Sequence, residues 1–159
     1  MTIHRTLFDS IVSAIPPGGT LLELGSGKTS QKFSKHFTVY SVEHSTKYLN
    51  RYDTNYIYAP LKSFNSEDAV KWFGTDEWYQ LKLKHLPKKY DALLIDGPPR
   101  KWRPNFYYHI NMFDLNVPWF FDDAHRPEFY RAIMFIAQTR GIDAFTVKNL
   151  TNNHAWVKL

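Results

Sequence analysis

LLELGSGKTS, residues Leu21 to Ser30, sets an apolar run that carries an acid, Glu23, two positions before the first of two glycines and a polar segment. The run is too short for a helix and is closed by Gly25 and Gly27, so it reads as a buried strand feeding a tight turn. After the turn, Phe33 and Phe37 stand four apart on a short helix, and residues 38–42 form a second apolar strand that closes with Glu43 and His44. Upstream, Leu7, Phe8, Ile11, Val12 and Ile15 fall on one helical face, ended by Pro16-Pro17-Gly18-Gly19. Helix, strand, turn, helix, strand is the opening of an α/β domain.

The rest of the chain continues the alternation. Residues 46–52 read as a helix, 55–59 as a short strand, and the mixed stretch 66–86, rich in Trp, Tyr and Lys, as helix. A clearer strand, residues 90–96, ends in Asp96 and is stopped by Gly97-Pro98-Pro99; another, 118–121, ends in Asp122-Asp123. A helix follows with Pro127 and Glu128 in its first turn and Gly141 after its end. Strands at 144–148 and 154–159 finish the chain. The expected fold is a seven-stranded, mostly parallel sheet with helices on both faces, Rossmann-like, with an antiparallel finish, in one minimal domain spanning residues 1–159. In such sheets ligands bind beyond the carboxyl ends of the strands, where strand order reverses. Those ends carry Glu23, Gly25, Glu43, Asp96, Asp122 and Asp123.

Composition excludes several chemistries. With no cysteine in 159 residues there is no disulfide, thiolate zinc site or cysteine nucleophile. No apolar stretch approaches the roughly 20 residues of a membrane helix, and MTIHRTLFDS lacks the cationic and apolar regions of a leader, so we read a soluble, cytoplasmic protein without a membrane partner. A net charge of +5 favours anionic partners weakly, and because it is spread along the chain nucleic acid is not indicated.

Three ligand classes use a glycine turn between strand and helix. A P-loop ending at Gly27-Lys28-Thr29 requires its first glycine at position 22, which is Leu22. The dinucleotide pattern G-x-G-x-x-G finds its first two glycines at Gly25 and Gly27 but Ser30 at the third position. S-adenosylmethionine accounts for more of the residues: Glu23 suits its cationic amino group, Glu43 at the end of the next strand suits both ribose hydroxyls, and the glycines admit a close backbone approach. Each piece also has a plainer role: Glu23 and Glu43 as solvated strand ends, the glycines as turn formers.

E-x-G-x-G at Glu23 to Gly27, with Glu43 closing the second strand and LIDG at Leu94 to Gly97, resembles the class I S-adenosylmethionine-dependent methyltransferases in element order over nearly the whole chain; it departs from them at Thr29, where a third glycine is frequent. The resemblance implies S-adenosylmethionine held by Glu23, Gly25, Ser26, Gly27, Glu43, His44 and Asp96. Asp96 with Asp122-Asp123 is similar to the strand-end acids of catechol and caffeoyl-CoA O-methyltransferases, which implies a divalent cation, Mg or Mn, on Asp96, Asp122 and Asp123. LIDGPPR and FDDAHRPEF look like the plant glucuronoxylan methyltransferases, which methylate a sugar hydroxyl. That implies a small or carbohydrate-like, anionic acceptor.

Methyl transfer gains from orientation, and an oxygen nucleophile gains further from a base. The candidates are Asp96, Asp123 and His125; Asp122 and His125 also suit helix or turn capping. For the acceptor, Arg100, Trp102, Arg103 and Arg126 are the candidates. The basic loop 98–104 either clamps an anion or folds Trp102 onto the domain, and Arg126 either meets the acceptor or pairs with Glu128. The aromatic content leaves a second copy of the chain open as a lid. The alternatives are a non-catalytic cofactor-binding or regulatory module of the same fold and an atypical P-loop hydrolase.

Overall fold

The computed structural model describes residues 3–149 and 154–159. Its elements run α1 (Arg5–Ala14), β1 (Thr20–Leu24), α2 (Lys28–Phe33), β2 (Thr38–Glu43) and β3 (Asn55–Tyr58), then β4 (Leu61–Ser63), α3 (Glu67–Phe73) and β5 (Glu77–Tyr79). β6 (Ala92–Ile95), a long 3-10 segment (Arg100–Met112), β7 (Trp119–Phe121), α4 (Pro127–Arg140), β8 (Phe145–Asn149) and β9 (His154–Lys158) complete it.

Seven strands form one sheet in the order β3-β2-β1-β6-β7-β9-β8. β1 is parallel to β2 and β6, and β9 alone runs antiparallel, between β7 and β8. The mostly parallel sheet with an antiparallel finish is as expected. From β1 the chain moves outward to β2 and β3, then crosses back to β6 on the other side of β1. Strand order therefore reverses between β1 and β6, and a crevice opens at their carboxyl ends.

The two faces of the sheet carry two cores. Leu7, Ile11 and Ile15 of the first helical segment cover Leu21, Leu94 and Phe120, joined by Phe33 and Trp156. On the opposite face Leu22, Leu24, Leu93, Ile95 and Phe121 meet Trp78, Phe106, Phe129 and Ile133. This two-sided burial explains why β6 and β7 are buried at every position and lack an alternating pattern. α4 starts on Pro127 and ends on Gly141 at φ 63°, as its sequence signals require.

Three stretches differ from the expectation. Residues 46–52 make a single 3-10 turn, Thr46–Tyr48, with Asn50 at φ 56° breaking any continuation. The stretch 66–86 is not one helix: Ser66 caps α3, Gly74 in the left-handed region (φ 77°) ends it, and β5 turns back to pair with β4 in a separate two-stranded antiparallel sheet. The basic loop after β6 winds into the Arg100–Met112 segment, which buries Arg103, Asn105 and Phe106. Among the described residues no helix is long and apolar enough to cross a membrane.

Candidate functional site

Gly25 follows β1 with φ 91°, a conformation that favours glycine, and its amide donates to Val42 O at 2.8 Å. A side chain here has no room: a Cβ on Gly25 would stand 3.0 Å from the Gly97 nitrogen, and one on Gly97 2.8 Å from Gly25 Cα and closer still to Tyr79 Oη. The two glycines thus bring the ends of β1 and β6 together at the point where strand order reverses. A cleft of about 170 Å³ opens there, lined by Gly25, Ser26, Gly27, Glu43, His44 and Asp96, with Tyr48, Tyr52, Tyr79, Gly97 and Pro99.

Six of the seven cofactor residues expected from the sequence share this one cleft. The seventh, Glu23, lies beneath it, 3% exposed, where Ser41 Oγ donates to its Oε1 at 2.5 Å. Burial is the main cause that raises the Glu23 carboxyl to about 8, against the lowering effect of bonds from Ser30 and Ser41. Glu43 is held the other way. Burial opposes its charge, yet bonds from His44, the Ser45 amide and Ser26 outweigh that and keep its carboxyl below the ordinary value. Ser26 Oγ donates to Glu43 Oε2 at 2.8 Å and the Ser45 amide to Oε1 at 2.9 Å. Glu43 is therefore an ionised, oriented acceptor at the cleft wall, able to take two ligand hydroxyls once the Ser26 rotor turns away.

The Gly-Lys-Thr of the turn does not form a phosphate cradle. Lys28 is exposed, and α2 is six residues long. Thr29 is buried, and its Oγ1 accepts from the Ile3 amide at 3.2 Å, so the residue that replaces a third glycine ties the segment before α1 to the turn.

Beside the cleft, Arg103 joins the ends of β6 and β7. Its guanidinium, 1% exposed, donates to Pro98 O, Asp122 O and Asp96 O, and faces Asp96 Oδ1 at 3.3 Å and Asp123 Oδ2 at 3.2 Å. The sequence placed Arg103 at the acceptor; its local composition reads as a solvated basic loop, but its partners come from two other strands. Trp102 likewise turns inward, its Nε1 donating to Glu77 Oε2 at 2.6 Å, so this part of the loop folds onto the domain. Asp123 sits at φ 57°, a left-handed backbone that short polar side chains tolerate, and its Oδ2 also accepts from Arg126 at 3.2 Å. Arg126 pairs with Asp123 rather than with Glu128.

Asp96 lines the cleft and is raised to about 7, first by burial, with Arg103 opposing and Asp122 and Asp123 adding to the rise. Asp122 turns to the last strand: His154 Nε2 lies 2.7 Å from its Oδ1, a contact that raises the imidazole above its usual value. His125 is exposed, its ring 5.7 Å from that of His154. The expected metal trio of Asp96, Asp122 and Asp123 does not present free oxygens to one point, since Arg103 faces two of the carboxylates and His154 the third. Among the described residues the group whose ligand atoms converge, within 4.8 Å, is Asp122, Asp123 and His154. Two guanidiniums already at Asp123 oppose a cation there.

A second cavity, about 450 Å³, is lined by Arg100, Lys101 and Arg126, by the Glu128 carboxylate, and by Phe73, Pro104, Pro127 and Phe129. Arg100 and Lys101 have no ion pair among the described residues. Five lining residues were not among the expected cofactor residues: Tyr48, Tyr52, Tyr79, Gly97 and Pro99. The signal for Tyr79 was Gly74, which divides the stretch taken as helix.

No protein-family model matches the chain, and no curated protein matches it. Solved structures do. A precorrin-8w decarboxylase of Methanobacterium thermoautotrophicum aligns over 99% of this chain and 90% of its own at TM-score 0.61 and 11% identity. A caffeoyl-CoA O-methyltransferase of Staphylococcus aureus aligns over 99% and 84% at TM-score 0.59 and 11% identity. An O-methyltransferase of Bacillus cereus, solved in complex with S-adenosylhomocysteine, aligns over 96% and 77% at TM-score 0.54 and 12% identity. The chain has the Rossmann-like fold of the class I S-adenosylmethionine-dependent methyltransferases.

Proposed function

We propose that this chain, as one minimal domain, transfers the methyl group of S-adenosylmethionine to a hydroxyl of a small or carbohydrate-like, anionic acceptor. The observation that carries the reading is the convergence of the glycine turn, Glu43, His44 and Asp96 on one cleft at the strand-order reversal. The likeness to O-methyltransferases supports the fold, and fold alone does not name an acceptor.

When bound, the cofactor supplies an electrophilic methyl on a sulfonium. Glu43, fixed by Ser45 and Ser26, holds the ribose hydroxyls, and the glycine turn lets the rest of the ligand lie against backbone. Asp96, buried and held at about 7, is placed to take the proton of the acceptor hydroxyl at neutral pH. Asp123 serves by fixing Arg103 and Arg126, and exposed His125, beside His154, is assigned the passage of the proton to solvent. Arg100 and Arg126, with Lys101, bind the acceptor's negative group in the second cavity. Trp102 and Arg103 anchor the loop that carries Arg100 and Lys101, through Glu77 and through Asp96 and Asp123. No step needs a divalent cation, because the Arg103 guanidinium already faces both Asp96 and Asp123.

The test is calorimetric titration of nucleotide-free protein with S-adenosylhomocysteine, with and without magnesium, beside ATP. Micromolar S-adenosylhomocysteine binding that Glu43→Ala abolishes and magnesium leaves unchanged supports the reading; ATP binding in its place sinks it. Methyl transfer from labelled cofactor is then assayed on hydroxylated acceptors with and without a carboxylate or phosphate. A second copy of the chain as lid predicts a dimer by light scattering at micromolar concentration.

A further inference from the structure

We propose that the Tyr79 hydroxyl reads the cofactor's base, donating a hydrogen bond to a ring nitrogen of the purine, and that the β4–β5 hairpin is built to hold it in the cleft. The inference rests on the reading of the cleft as an adenosylmethionine site.

Tyr79 is 4% exposed, lines the cleft, and its hydroxyl has no partner among the described residues. Buried polar groups are nearly always satisfied, so an orphan donor at a cavity wall marks the place of a ligand acceptor. The group is not loose. Tyr79 is the last residue of β5, in register with Leu61, and the next amide, Gln80, donates to Pro60 O at 2.8 Å. Its ring packs edge-on to Trp78 with centroids 5.2 Å apart, and its Oη abuts Gly97 where β1 and β6 meet. The hairpin is in turn tied to the Arg100–Met112 segment, for Asn105 Nδ2 donates to Thr75 O and Glu77 O at 2.9 and 3.0 Å.

The chemistry of the neighbours selects the ligand atom. Burial, then the charges of Glu43, Asp96 and Glu23, keep the phenol protonated against the opposing pull of Arg103, so it acts as a donor. A ligand carboxylate is disfavoured beside Glu43 and Asp96, whereas ammonium and sulfonium groups are drawn to those acids and offer the phenol no accepting site. The ribose hydroxyls belong to Glu43. What remains is a neutral nitrogen lone pair on a flat ring, and His44, Tyr48 and Tyr52 supply flat walls for such a ring; the His44 and Tyr79 rings stand 6.2 Å apart.

The experiment measures S-adenosylhomocysteine affinity of wild type and Tyr79→Phe by calorimetry, together with three analogues in which purine N1, N3 or N7 is replaced by CH. The expected result is about tenfold weaker binding of the parent by Tyr79→Phe, from the loss of one hydrogen bond. One analogue should be weakened about as much on wild type and be indifferent to the substitution. Free Tyr79→Phe should melt at or above the wild-type temperature, since it removes an unsatisfied group. Equal affinity of wild type and variant overturns the inference, as does a uniform loss across parent and all analogues or a lower melting temperature, which would make the hydroxyl structural. Failure of wild type to bind S-adenosylhomocysteine would sink the underlying reading instead, a result visible before any variant is made.

Discussion

Gly25 and Gly97 lie backbone against backbone, one after β1 and one after β6, with no space for a side chain on either. This contact sets the width of the cleft, because any Cβ pushes apart the two strand ends that carry its walls. Gly97→Ala is expected to lose S-adenosylhomocysteine binding and to destabilise the fold by about 1–3 kcal/mol through overpacking against Gly25 and Tyr79. Urea unfolding and calorimetry on the same preparation check both, and wild-type behaviour in either would show that the strands can part at no cost.

Arg103 is the second joint between strand ends. Arg103→Met leaves Asp96 and Asp123 facing each other without a buried cation, and the expected loss is about 3–5 kcal/mol of unfolding free energy. Arg103→Lys should recover only a fraction, because one ammonium cannot reach Pro98 O, Asp122 O and both carboxylates. Full recovery with lysine would mean that charge alone is needed there.

Glu43 and Lys28 separate the competing readings of the glycine turn. Glu43→Gln should weaken S-adenosylhomocysteine by about 10- to 100-fold, the range of charge-assisted bonds of about 1.5–3 kcal/mol. Lys28→Ala, an exposed position, should change neither binding nor stability. If the lysine variant alone loses ligand, the turn is a phosphate loop.

Acidity offers a further check. Glu23 and Asp96 are raised in the fold from 4.5 to about 8 and from 3.8 to about 7, and His154 is raised from 6.5. In all three the folded state holds its proton more tightly than the unfolded chain. Their stabilisation is therefore complete below the unfolded values and is lost as pH rises through the folded ones. The melting temperature should fall between about pH 5 and pH 8, and Glu23→Gln should flatten that fall. Glu43 acts oppositely, contributing above 4.5 and losing its share as pH drops through its depressed value. A melting temperature that climbs steadily from pH 5 to 8 would contradict these assignments.

The same protonation makes cofactor binding proton-linked. A cationic ligand entering beside Asp96 favours its charged form, so binding S-adenosylmethionine near pH 7 should release protons. Calorimetry in buffers of different ionisation enthalpy reads the number directly, and Asp96→Asn should reduce it, leaving the share of Glu23 beneath the cleft.

Most of the fold was legible because its signals are local. The uninterrupted apolar runs of β6 and β7, and that of β1 broken only by Glu23, announce strands buried on both faces, and Pro127 and Gly141 bracket α4. The meeting of Gly25, Glu43 and Asp96 in one cleft was legible for a related reason: each ends a readable strand, and the fold gathers strand ends. What escaped depends on distant partners. Arg103 looks like one more cation in a basic loop until Asp96 and Asp123 are brought to it. Tyr79 was hidden inside a stretch whose aromatic and lysine content suggested a helix, though Gly74 interrupts it and Trp78-Tyr79 are residues that strands favour.

β8 touches the main sheet only through β9, which lies between it and β7. During synthesis β8 leaves the ribosome before the strand it needs as a neighbour, so this edge of the sheet waits on β9. His154, the first residue of β9, is also the partner of Asp122. A chain stopped short of β9 would thus forfeit two strands rather than one and leave Asp122 without its imidazole, so one short strand secures both the sheet edge and a strand-end acid.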